Sequence, residues 1–148
     1  MESKSEEELR KISVELRLLE QTAETLQSRL NMINAVATDL TYASVTLETL
    51  DKEKENAELL VPIGGTSYIR ARLDNPDKII VRIGADVSVE KTREEAKDII
   101  KKRLGDLEKT RMSMQQQFVK VADKINEDRE KFETLMAALR EGKTPKNV

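Results

Sequence analysis

The chain contains no cysteine, no histidine and no tryptophan. Without cysteine there is no disulfide, no thiolate nucleophile and no thiolate zinc site. Without histidine the usual acid–base and metal-ligating imidazole is gone. Asp and Glu remain as ligands for a hard cation, but no calcium-loop spacing occurs, so neither metal nor cofactor is expected. Aromatic residues make up 3% of the 148 residues against 36% charged, a balance that cannot fill a broad core. No apolar run approaches the ~18 residues of a membrane span. The stretch from Met1 to Arg10 is rich in Ser, Glu and Lys and has no apolar segment, so no targeting signal is expected and a soluble, cytoplasmic protein is. Net charge is −2 with both signs interleaved. That leaves no basic field for a nucleic-acid backbone and no polybasic patch for a membrane. Gly64-Gly65 has no Lys-Ser/Thr after it, as a phosphate loop would, and no residue set resembles a catalytic constellation. An enzyme is not expected. Abundant Glu and Lys without Cys suit a heat-adapted source.

What the chain has is periodicity. Leu9, Ile12, Leu16, Leu19, Ala23, Leu26, Leu30, Ile33, Ala37, Leu40, Ser44 and Leu47 are spaced 3, 4, 3, 4 throughout, and eleven of the twelve are apolar. A second seam runs through Ile100, Leu104, Leu107, Arg111, Met114, Phe118, Val121, Ile125, Asp128, Phe132, Leu135 and Leu139, with ten of twelve apolar. Both are a/d stripes of a left-handed coiled coil. A thin seam needs only two apolar positions in seven, which this composition supplies.

The first helix is predicted to start near Ser5, with Glu8 completing a capping box and Glu6 and Glu7 on the positive helix end. It is predicted to run to about Asn56, roughly 75 Å at 1.5 Å per residue. The second is predicted to start at Thr92, capped by Glu95, and to end near Glu141 with Gly142 as C-cap before Pro145. Between them the rhythm changes to period two. Leu59 to Ile63, Gly64-Gly65, and Tyr68 to Leu73 outline one hairpin, with Pro62 marking an edge or strand end. Asp74-Asn75-Pro76-Asp77 is a loop. Ile79 to Ile83 and Val87 to Val89 outline a second hairpin, Gly84 allowing its turn. The expected division is a helix over 1–57, two hairpins over 58–90, a helix over 91–142 and a loose tail over 143–148.

The expected fold class is α+β, mostly α. A long antiparallel two-helix coiled coil carries two β-hairpins inserted between the helices, and the hairpins form an intersubunit β-barrel. One plausible register pairs Leu19 with Phe132, Leu26 with Ile125, Ile33 with Phe118 and Leu47 with Leu104; a shift of one heptad fits nearly as well. It sets Asp128 opposite Ala23, where the carboxylate has room to reach water. The barrel follows from instability: isolated hairpins do not persist in water. Val61, Ile63, Ile69, Ala71, Leu73, Ile79, Val81, Ile83, Val87 and Val89 share a face that no helix of the chain is expected to cover. These residues and Tyr68 are the expected assembly surface, closed by strands of other subunits. The alternative is a four-stranded sheet packed on the base of its own coiled coil.

The run Leu60-Val61-Pro62-Ile63-Gly64-Gly65-Thr66-Ser67-Tyr68-Ile69-Arg70-Ala71 resembles the first hairpin of the α-class subunits of prefoldin. Val81-Arg82-Ile83-Gly84-Ala85, then Val87-Ser88-Val89-Glu90-Lys91 leading into Glu95-Ala96, resembles their second hairpin and the start of their last helix. Two hairpins rather than one distinguish the α class from the β class. The chain departs from the family where Asp86 and Val87 replace a second Gly and an aromatic or small residue. The resemblance implies an ATP-independent hexamer of two α and four β subunits. It further implies that coiled-coil ends hold unfolded client proteins and pass them to a group II chaperonin, and an archaeal type is favoured.

A holdase needs adaptable apolar surface. Off the seam near the free ends, Val14 and Leu18 occupy outer heptad positions f and c, and Met136 occupies e. With Leu9, Ile12, Phe132, Leu135 and Leu139, which are seam residues that a frayed end would expose, they form the expected client-binding set. The tail from Lys143 to Lys146 is a weaker candidate for contact with a chaperonin. Met32, Val36, Tyr42, Val45, Met112 and Val119 are also off-seam, either lining the cavity or touching a neighbouring arm, or, the preferred reading, ordinary single exposed apolars. Arg111 and Asp128 interrupt the second seam, either as register specifiers or as points of looseness. A structural or adaptor coiled coil without client binding is the competing function.

Overall fold

In a computed structural model, residues 3–142 are described. Two long helices flank two hairpins: α1 (Lys4–Leu50), β1 (Glu58–Gly64), β2 (Ser67–Arg72), β3 (Lys78–Gly84), β4 (Val87–Thr92) and α2 (Arg93–Arg140). The proposed tail contact from Lys143 to Lys146 lies outside the described residues.

The chain forms two compact units, Met1–Asn34 with Lys109–Val148, and Ala35–Glu108. The first is coiled coil. Leu26, Leu30, Ile125 and Leu135 are buried in it, and its other seam positions are half-buried, except Asp128. Cross-helix ion pairs flank the seam, Arg129 to Glu20 at 3.1 Å and Lys124 to Glu15 at 3.9 Å. The α1 cap is not Ser5. Ser3 Oγ accepts from the Glu6 amide at 3.2 Å, while Ser5 is buried. Both serines have a Glu three residues on, so the capping pattern alone does not choose between them.

Asp128 corrects a second expectation. It does not reach water: it is 1% exposed, the most buried large side chain described. One carboxylate oxygen lies 3.3 Å from Lys124 Nζ, and Oδ2 has no hydrogen-bond partner among the described residues. The Asp128 carboxylate, through this contact, holds the Lys124 ammonium above the ordinary lysine range.

In the second unit α1 ends at Leu50, short of Asn56. Three tight amide-to-carbonyl bonds, Asp51 to Glu48, Lys52 to Thr49 and Glu53 to Leu50, close its last turn. Asn56 then takes φ 62°, a left-handed conformation that Asn tolerates, and its amide donates to Leu73 O. At α2 the capping box is formed as expected. The Glu95 amide donates to Thr92 Oγ1 at 3.2 Å and the Thr92 amide to Glu95 Oε1 at 3.4 Å. The Thr92 side chain first, and its backbone amide second, hold the Glu95 carboxyl below its ordinary value. Gly142, at φ 67°, closes the far end with its amide on Leu139 O.

Each hairpin is its own two-stranded antiparallel sheet. Val61 pairs with Ile69 and Val81 with Val89. Gly65 and Thr66, at φ 56° and 58°, form the first turn, the positive-φ pair that a two-residue hairpin favours. In the second turn the left-handed residue is Asp86 at φ 60°, not Gly84. Its Oδ1 accepts from Arg82 Nη2 at 2.8 Å.

Replacing the half-satisfied Asp128 by Leu is expected to be neutral or stabilising, by up to about 3 kcal/mol, because the apolar side chain removes a buried charge. Gly105, mid-helix with open space around its Cα, is expected to gain roughly 0.5–1 kcal/mol on conversion to Ala. Thermal unfolding followed by circular dichroism checks both; a lower midpoint for Asp128→Leu would show that the carboxylate contributes net stability.

Candidate functional site

Two surfaces concentrate exposed apolar groups. The first is the hairpins. Leu60, Val61, Ile63, Tyr68, Ile69, Ile83 and Val87 are exposed, and so is Ile80 at 77%. Ala71, Leu73 and Val89 are half-buried. The expectation that no helix of the chain covers these strands fails at two residues. Val81 is 7% exposed in a cluster with Leu47, Ala96 and Ile100, and Ile79 and Leu104 pack against it. Leu47 of α1 and Ala96 and Ile100 of α2 cover Val81 of β3, and the strand residues that stay exposed have no cover from this unit.

A charged clasp holds this base. Lys97 Nζ donates to Asp51 Oδ2 at 2.6 Å and lies 3.3 Å from Glu94. Arg93 Nε sits 2.6 Å from Asp51 Oδ1, a charge contact with the N–H poorly aligned for a hydrogen bond. Arg93 also donates to the carbonyls of Leu50 and Pro76. One arginine therefore ties the end of α1 and the inter-hairpin loop to the start of α2. The Lys97 hydrogen bond, then the charges of Lys97 and Arg93, hold the Asp51 carboxyl below its ordinary value. Reciprocally, Asp51 holds Lys97 above its own.

The second surface belongs to the coiled-coil unit. Val14 is 52% and Leu18 58% exposed. Leu9, Ile12, Phe132, Met136 and Leu139 are half-buried and Leu135 is buried. The structure thus leaves Val14 and Leu18 outside the seam and keeps the rest in or against it. Met32, an isolated apolar in the sequence, closes a stripe of c and f positions on α1, namely Val14, Leu18, Gln21, Thr25, Ser28 and Met32, all exposed and none charged. The equivalent positions of α2 include Lys109, Lys120, Asp123, Glu127 and Glu130. The signal was present in the sequence as a missing charge, not as an excess of apolar residues.

Among the described residues no cluster of acidic side chains is arranged to hold a metal ion, and no helix is long and apolar enough to cross a membrane. The prefoldin-subunit family profile matches residues 19–138. The chain belongs to the prefoldin family, in its α class. Prefoldin subunit alpha of Methanosarcina barkeri is 37% identical over 108 residues, covering 71% of this chain and 75% of the relative. That of Methanococcus vannielii is 32% identical, covering 90% and 89%. A chain of filamentous PFD from Methanocaldococcus jannaschii, solved by cryo-electron microscopy, superposes with a TM-score of 0.66 at 25% identity over 76% of this chain and 93% of that one. The prefoldin family is one of chaperone subunits that assemble into oligomers, not of enzymes.

Because the native Asp51 carboxyl is the stronger acid, its contribution is full above the unfolded-state value and is lost as pH falls through the native one. The raised Lys97 value gives the opposite limit, with stability lost as pH rises through the alkaline range. Asp51→Asn is therefore expected to lower the thermal midpoint at neutral pH, with the deficit shrinking at both extremes. A deficit independent of pH would mean that the clasp acts through packing rather than charge.

Proposed function

We propose that this chain is the α-class subunit of an ATP-independent holdase that captures non-native polypeptides at the helix ends and hands them to a group II chaperonin. The observation that carries the reading is the exposure of Val14 and Leu18 on the outer face of a coiled coil whose own seam is already filled. Such residues do not enter the core of a two-stranded coil, and their burial is worth about 25 cal/mol per Å² to any client that covers them. Met136, half-buried on α2, adds a flexible, polarizable side chain that suits varied clients. Leu9, Ile12, Phe132, Leu135 and Leu139 extend the patch when the helix ends fray.

The hairpin surface supports the assembly half of the reading. Its uncovered residues pair with hairpins of partner β subunits in a barrel, in a hexamer of two α and four β subunits. Several weakly binding arms then act on one client, so affinity arises from avidity rather than from a deep pocket. The handover to a chaperonin and a cytoplasmic location follow the family resemblance.

The assembled wild type is expected to suppress aggregation of a denatured enzyme at near-stoichiometric ratio without nucleotide. Val14→Ser/Leu18→Ser/Met136→Ser is expected to lose most of that suppression while native mass spectrometry still finds the intact assembly. Equal suppression by the triple variant would move client binding elsewhere, and absent suppression by the wild type would favour the adaptor reading.

A further inference from the structure

Beside the neutral stripe of α1 lies an open groove of about 590 Å³, within the size range of ligand clefts, roughly 300–1,000 Å³. Leu26 and Val121 form its apolar floor, and Leu18 is the exposed apolar group at its side. The hydroxyls of Thr22 and Thr25 donate to the carbonyls of Leu18 and Gln21 at 2.9 and 3.0 Å, so part of the wall's polarity is already satisfied within the helix.

The charge at the rim is one-sided. Arg29 and Lys120 line the groove, and no acidic side chain does. Two neighbouring cations of this unit are engaged: Lys124 lies near Glu15, Glu127 and Asp128, and Arg129 meets Glu20. Arg29 and Lys120 have no such partner among the described residues. On a chain of net charge −2, an apolar groove with two unpaired cations is a local inversion of sign.

The geometry points to this groove as a charge-selective client site, taking polypeptide segments in which apolar side chains stand beside carboxylates. It rests on the holdase reading and deepens it by naming a class of preferred client. Client apolar side chains cover Leu18 and Val121, while client Asp or Glu meets Arg29 and Lys120. Basic apolar segments are disfavoured by the same two cations, so the groove sorts clients by charge as well as by hydrophobicity.

The test uses three labelled peptides sharing one pattern of Leu and Phe, with Glu, Ser or Lys at the intervening positions. Binding to the assembled protein is read by fluorescence anisotropy. The Glu peptide is expected to bind roughly five- to ten-fold more tightly than the Lys peptide, the sum of two partly exposed ion pairs. At ~1 M salt, where screening is nearly complete, that ratio is expected to collapse. Arg29→Gln/Lys120→Gln should erase the ranking and Arg29→Glu/Lys120→Glu should invert it, both leaving the Ser peptide bound and the helical signal unchanged. Equal affinity for the Glu and Lys peptides, or a ranking that survives both double variants, overturns the inference while the holdase reading stands. Failure of every peptide to bind, with no suppression of aggregation, overturns both.

Discussion

A hairpin of two strands has no interior strand. β1 and β2 pair only with each other, and so do β3 and β4. Each strand therefore keeps one row of backbone donors and acceptors unmatched, and each ribbon keeps two faces to cover. The chain covers part of one, seating Val81 and Ile79 against Leu47, Ala96 and Ile100. Leu60, Ile63, Ile69 and Ile80 lie on strands with no further layer to bury them. Burying those side chains requires strands from other subunits, which is why a chain of this design is a subunit rather than a freestanding domain.

That dependence makes the base of the hairpins more than a connector. If the strands were free to swing against the helices, docking to a partner would also have to fix their direction, at a cost in conformational entropy. The Asp51, Arg93 and Lys97 clasp removes part of that cost in advance. It joins the last turn of α1, the first turn of α2 and the carbonyl of Pro76 through two cationic side chains.

Legibility followed dimensionality. Both seams could be read because a heptad is a one-dimensional pattern, and every one of their positions is buried or half-buried in the structure. The hairpins were equally readable from alternation and from Gly64-Gly65. What failed required knowing which distant segments meet. The cover over Val81 comes from residues as far apart as Leu47 and Ile100, and the enclosure of Asp128 depends on how the opposite helix passes it. The exposed client candidates Val14 and Leu18 were legible because the outer face of a two-stranded coil is defined by the seam itself. The groove beside Leu18 was not, since Arg29 and Lys120 sit on different helices and share a rim only after the helices pair.

The two helices of the coiled-coil unit have divided their labour. A surface helix far from any interface normally carries charge at its c and f positions, where solvation costs nothing, and α2 does so. On α1 the same positions from 14 to 32, beyond the charged Glu7 and Lys11, are Val14, Leu18, Gln21, Thr25, Ser28 and Met32. A larger or more continuous apolar stripe there would bind harder, but it would also draw copies of the chain together. Interleaving Gln, Thr and Ser with the apolar residues keeps each contact weak and the surface wet. Weak contacts suit a protein whose ligand must leave again, provided that several act together, because the sum of modest sites sets the holding strength while each one can be released singly. In the holdase reading proposed above, the neutral face of α1 and the uncovered hairpins are linked requirements: assembly multiplies the arms, and multiplication permits each arm to remain a poor binder.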